Sequence, residues 1–105
     1  MDRTLTATLT AEQLLQDIYQ SAASLRWFEQ KFGLLSETFY HLFQQGKLQD
    51  EDPDEITECL EWAAQWEIYE DRRRRYNEAI ERRLQQLPTP SSLRDLQVSQ
   101  LPVAV

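Results

Sequence analysis

Four carboxylates, Asp50, Asp52, Asp54 and Glu61, occupy the first, third, fifth and last positions of a calcium-loop register, where oxygen ligands converge on a divalent cation. The sixth position of such a loop needs a glycine for its sharp turn; here it is Glu55, and Pro53 intrudes where the backbone must wrap the ion. The quartet reads instead as an acidic helix start, with no metal assigned. Glu37 precedes the only histidine, His41, by one helical turn, a pairing that serves acid–base chemistry only beside a nucleophile or a metal. The sequence supplies neither. Cys59 is the only cysteine, so it forms no internal disulfide, and no second cysteine or histidine stands near it to complete a zinc site. Phosphate-binding glycine loops, nucleophile elbows and zinc-protease motifs are absent, and the reading is of a protein without catalysis or cofactor.

Two constellations point to partners. Arg72, Arg73, Arg74 and Arg75, followed by Arg82 and Arg83, form the one dense basic feature, and an arginine run can contact nucleic acid or an acidic protein. Successive side chains on a helix nevertheless fan around about 300° and make no flat patch. Glu70 with Arg74, Asp71 with Arg75 and Glu78 with Arg82 are acid-before-base pairs worth about 0.2–0.5 kcal/mol each, so a solvated, self-paired surface competes with both contacts. Trp62, Trp66, Tyr69 and Tyr76 recur at separations of 4, 3 and 7, a stripe that fits a core, a self-association seam, a partner groove or a base-stacking platform. With acidic Glu58 and Glu61 beside them, these aromatics are the candidate partner-binding residues.

Helices must position these groups. Thr10 and Gln13 have capping-box spacing, Leu14, Ile18, Ala22, Leu25, Phe28 and Phe32 recur at separations of 4, 4, 3, 3 and 4, and Gly33 follows, which predicts a helix over Ala11–Phe32. Ser36 is the expected N-cap of a short helix over 37–45, with Leu35 as a staple, Phe39, Leu42 and Phe43 on one side and Gly46 as its stop. Asp52-Pro53-Asp54-Glu55 is the strongest local signal, a capping aspartate, a proline at the first helical position and two acids in the first turn. From there neither glycine nor proline interrupts Pro53–Gln86. That helix would run about 50 Å against about 33 Å for the first, so it outruns its cover. Of its two apolar stripes, Ile56, Leu60 and Ala63 are assigned to the core with Leu14, Leu15, Ile18, Leu25, Phe28, Phe32, Phe39 and Phe43, and the Trp62 stripe is left for a partner.

The chain has 105 residues, room for one small domain, with 11 basic and 18 acidic side chains and a net charge of −7 that disfavours wholesale binding to nucleic acid. Charge is segregated: ten acids and no base lie in 50–71, then six arginines and two glutamates in 72–83, a pattern by which the helix can pair antiparallel with a copy of itself. A homodimer is expected on that ground. Without a secretory signal, a membrane-length apolar run or a disulfide, the expected location is the cytoplasm, with no membrane contact. The overall expectation is an all-α fold: an antiparallel helical hairpin with a short connecting helix and one long C-terminal helix. A flexible arm covers 1–9, the helical domain 10–87 and a Pro/Ser-containing flexible tail 88–105, with a turn or two of helix near 92–97.

The run Phe28-Glu29-Gln30-Lys31-Phe32-Gly33-Leu34-Leu35-Ser36-Glu37-Thr38-Phe39-Tyr40, then Gly46-Lys47-Leu48, the acidic turn, and Glu61-Trp62-Ala63 with Tyr69, resembles a class of small helical bacterial proteins, common in cyanobacteria. Members of this class are often uncharacterised or regarded as antitoxins encoded beside a small toxin. The resemblance implies a non-enzymatic binding protein whose partner is a cognate toxin, and it carries no defined active site onto this chain. At the two ends, where many antitoxins bear a DNA-binding domain, this sequence shows no helix-turn-helix or ribbon.

Overall fold

The computed structural model describes residues 9–48, 51–87, 92–96 and 102–103. Strand β1 (Leu9–Thr10) leads into helix α1 (Ala11–Phe32), followed by α2 (Ser36–Gln44), α3 (Pro53–Gln86), a single turn α4 (Leu93–Leu96) and strand β2 (Pro102–Val103). The fold is all-α. Local rules set most helix ends. The Thr10 hydroxyl accepts from the Gln13 amide while Gln13 Oε1 accepts from the Thr10 amide, a closed capping box, and Gly33 takes the left-handed conformation (φ +67°) that ends α1. Asp52 caps α3 through its own carboxylate and Pro53 opens the helix, as expected, which leaves Glu61 inside the helix. Asp50, the first member of the calcium-register quartet, lies outside the described residues.

α1 and α3 form the antiparallel hairpin. Phe28 packs on Trp62, Asp17 pairs with Arg72, and Leu14 meets Ala79, so ascending positions on α1 meet descending positions on α3. Ala11, Ser21 and Ala79 are buried small residues that let the helices approach, and the Ser21 hydroxyl is satisfied by the Asp17 carbonyl at 2.9 Å. α2 lies across one end and closes the main core of Leu25, Phe28, Phe39, Trp62 and Ala63. Phe43 is half-buried against it; Leu15, Ile18 and Ile56, also expected in the core, are only half-buried.

The structure corrects the assignment of stripes on α3. Trp62 is 3 % exposed and belongs to the core, whereas Leu60, expected inside, is 57 % exposed; Phe32 is also largely exposed. Ring stacking decides between them. Trp62 lies parallel to Phe39 at 3.9 Å between centroids, to Phe28 at 5.4 Å and to Phe32 at 5.6 Å, and turning it inward rotates Leu60 outward on the same helix.

A second correction concerns the start of α2. Ser36 is its first helical residue rather than its N-cap; the cap position is Leu35, which has no capping side chain and is exposed instead of stapled. The missing acceptor comes from α1, where Glu29 Oε2 accepts from the Ser36 amide at 2.9 Å and from the Ser36 hydroxyl at 2.7 Å. Gln45 then caps the end of α2, and Gly46 (φ +67°) turns the chain.

Leu9 pairs with Val103 and Thr10 with Pro102 in a two-residue antiparallel ladder that joins the two ends of the chain. The one-turn helix falls within the stretch expected for it. Most of the arm 1–9 and the tail 88–105 lies outside the described residues.

Candidate functional site

Trp66 and Tyr69 follow Trp62 along the inward stripe of α3 but remain half-buried. They continue a row of rings begun by Tyr40 of α2: centroids lie 6.3 Å apart between Tyr40 and Trp66 and 5.8 Å apart between Trp66 and Tyr69. The Arg73 guanidinium ends the row, 5.3 Å from the Tyr69 centroid. Carboxylates flank it. The Tyr40 hydroxyl donates to Glu67 Oε2 at 2.6 Å, and that hydrogen bond, with partial burial and the neighbouring charge, raises the phenol above its ordinary range. Trp66 borders two shallow depressions, one lined by Glu37, Thr38, Tyr40, His41 and Gln44, the other by Ala22, Leu25, Arg26, Glu29 and Tyr69. Half-buried aromatics among acids can dock a partner carrying apolar and basic groups.

The other expected contact residues are dispersed. Tyr76 packs with Leu14, Ala79 and Leu9 at the far end of the hairpin, Glu58 is engaged by Lys31, and Glu61 is exposed. Tyr40 and Glu67 were missed as site residues because they stand 27 residues apart on different helices and no spacing rule links them. His41 lies 2.9 Å from Gln45 Nε2. Among the described residues no group of three histidine, cysteine, aspartate or glutamate side chains is placed to hold a metal ion. Nor is any described helix long and apolar enough to cross a membrane.

The arginines are held by neighbouring acids. Asp71 accepts from Arg72 at 2.5 Å, Arg74 at 2.8 Å and Arg75 at 2.9 Å, and Arg72 also reaches Asp17 on α1 at 3.1 Å. The expected Asp71–Arg75 pair forms, while Arg74 turns to Asp71 and Glu78 and leaves Glu70 to Arg73. Arg82 is exposed and Arg83 half-buried. Burial pushes the Asp71 carboxyl up, but the hydrogen bonds and charges of Arg72 and Arg75 outweigh it and hold the group below its ordinary value.

A depressed carboxylate stabilises the fold fully above its unfolded value near ~3.9, and this contribution disappears as pH falls through the lower folded value. Asp71→Asn is therefore expected to cost about 1 kcal/mol at neutral pH. Its stability should also fall less steeply than the wild type's below about pH 4. Urea titrations across that range measure both, and identical pH profiles would remove Asp71 as the hub of the cluster.

No family model, curated protein or solved structure matches the chain.

Proposed function

We propose that this chain is a non-enzymatic protein-binding module and, following the resemblance of the segment from Phe28 through Tyr69, that it neutralises a small basic toxin. The observation that carries the reading is the row Tyr40–Trp66–Tyr69, half-buried and set among Glu37, Glu67 and Glu70. Partly covered aromatics lose little conformational freedom on binding and bring large apolar area, which is why such residues dominate interface energetics. The acids around them attract a basic surface and speed its encounter. Ion pairing of Arg72, Arg73, Arg74 and Arg75 lends no support to the nucleic-acid alternative. The homodimer expectation, which rested on charge segregation along α3, gains no support either: Arg72, Arg73, Arg74 and Arg75 pair with acids of the same chain, and Trp62 of the aromatic stripe is buried against α1 and α2.

The test is co-expression with the product of a neighbouring gene, chosen for being small and basic. Growth arrest by that product should be relieved by the wild type and not by Trp66→Ala, which truncates a half-buried ring and should weaken the complex by about 2 kcal/mol, roughly thirtyfold. Circular dichroism establishes that the variant is folded. Equal relief by wild type and folded Trp66→Ala would remove the row from the interface; absence of any complex would remove the toxin-neutralising reading.

A further inference from the structure

The end of the hairpin remote from the β1–β2 ladder is incompletely covered. α3 has 34 residues and α1 has 22, and Phe32, the last residue of α1, stacks on Trp62, so the first turns of α3 project beyond it. The nine-residue α2 spans only part of the gap. What remains is a half-open cavity of about 260 Å³. Its walls are Phe32, Leu34, Phe39, Leu48, Cys59 and Trp62, and Glu55 is the one charged residue among them. Leu35, beside Leu34 in the turn, is 68 % exposed.

The adjoining segment sets the chemistry of an occupant. Glu51, Asp52, Asp54 and Glu55 are all exposed, and among the described residues none of the four has an ion-pair partner. Lys31, the base at the end of α1, is already held by Glu58. An apolar cavity beside several carboxylates that hold no ion pair, one of them the Asp52 cap of α3, suits a partner that offers one apolar side chain between several cations. A small molecule would satisfy the cavity and leave most of those charges unmatched, and a nucleic acid has the wrong sign.

We infer that this cavity receives a leucine- or phenylalanine-sized side chain from a basic segment of the protein partner. The inference rests on the protein-binding reading above and adds to it the chemistry of the partner and a second contact point, apart from the row at Trp66.

Two lysine-rich peptides that differ in one central residue, leucine in one and serine in the other, are the probe. Cys59, the chain's only cysteine, stands in the cavity wall and reports occupancy through its rate of reaction with a water-soluble disulfide reagent. The leucine peptide is expected to bind about tenfold more tightly than the serine peptide and to slow that reaction, which the serine peptide leaves unchanged. Glu55→Gln, at an exposed position, should weaken both peptides. Equal affinities with Cys59 unprotected would overturn the inference, as would failure of both peptides to bind at low salt. The same titrations on Trp66→Ala separate the two readings. Protection of Cys59 that persists in that variant supports the cavity whatever becomes of the toxin reading. Leucine-peptide binding that is lost there, with Cys59 unprotected even in the wild type, overturns the cavity and leaves the row as the sole contact.

Discussion

Trp62→Ala should lose about 3–5 kcal/mol of folding stability, the cost of emptying a buried aromatic site. The side chain is 3 % exposed and stacks against Phe28, Phe32 and Phe39, so no single neighbour can collapse into the space it leaves. A domain of this size has only about 5–15 kcal/mol to lose. The variant should therefore show a much lower urea midpoint or fail to fold at about 37 °C. Trp62→Phe separates packing from hydrogen bonding. It keeps a ring against Phe39 but removes the indole N–H that donates to Ser36 Oγ at 2.8 Å, and should cost about 1–2 kcal/mol. Wild-type stability in Trp62→Ala would mean that the hairpin closes without this ring, and the assignment of the core to the Trp62 stripe would fall.

The second large effect is expected at Glu29. Its carboxylate accepts both the amide and the hydroxyl of Ser36, a residue 1 % exposed, and the same hydroxyl accepts from Trp62. Glu29→Ala leaves two buried donors without acceptors and should cost about 2–3 kcal/mol, with α2 losing hydrogen-exchange protection before α1 and α3. Glu29→Gln retains an acceptor oxygen without its charge and should recover about half of that loss. Because Glu29, Ser36 and Trp62 share one chain of bonds, Glu29→Ala and Trp62→Phe together should cost less than the sum of the two alone. Strict additivity in that double-mutant cycle would show the bonds to be independent.

This network lies in the segment on which the proposed toxin-neutralising reading rests. Phe28, Glu29, Gly33, Ser36, Phe39 and Trp62 all belong to that segment, and here they join the three helices at one end of the hairpin: two rings on the indole, a glycine stop, and a carboxylate–serine–indole chain. These six residues fasten α2, while the candidate contacts draw on others, Trp66 and Tyr69 of the row and Leu34 and Leu48 of the cavity wall.

The legible part of the fold was the part governed by near neighbours. The Thr10–Gln13 capping box, the Gly33 stop and the Asp52-Pro53 start each act within a few residues, and they placed both ends of α1 at Ala11–Phe32 and the start of α3 at Pro53. The candidate site was legible only in part. Trp66 and Tyr69 were identified by helical spacing, but Trp62, on the same stripe, went to the core, and Tyr40, from another helix, completed the row.

Periodicity along α3 determined that two apolar stripes exist, one through Leu60 and one through Trp62. It could not choose between them, because both repeat at helical spacing and the choice depends on what the facing helices present. Phe28 and Phe39 offered flat rings at the right height, and stacking turned Trp62 in and Leu60 out. The acceptor for Ser36 came from Glu29 across the turn, Arg72 found Asp17 on the other helix, and Leu9–Thr10 found Pro102–Val103 at the opposite end of the chain. Sequence by itself determined the two long helices, the caps at Thr10, Gly33 and Asp52 and the segregation of charge, since these follow from chemistry within a turn or two. Tertiary structure alone decided which face is core, which acids are already paired and where a partner can reach, since each depends on groups that only folding brings within bonding distance.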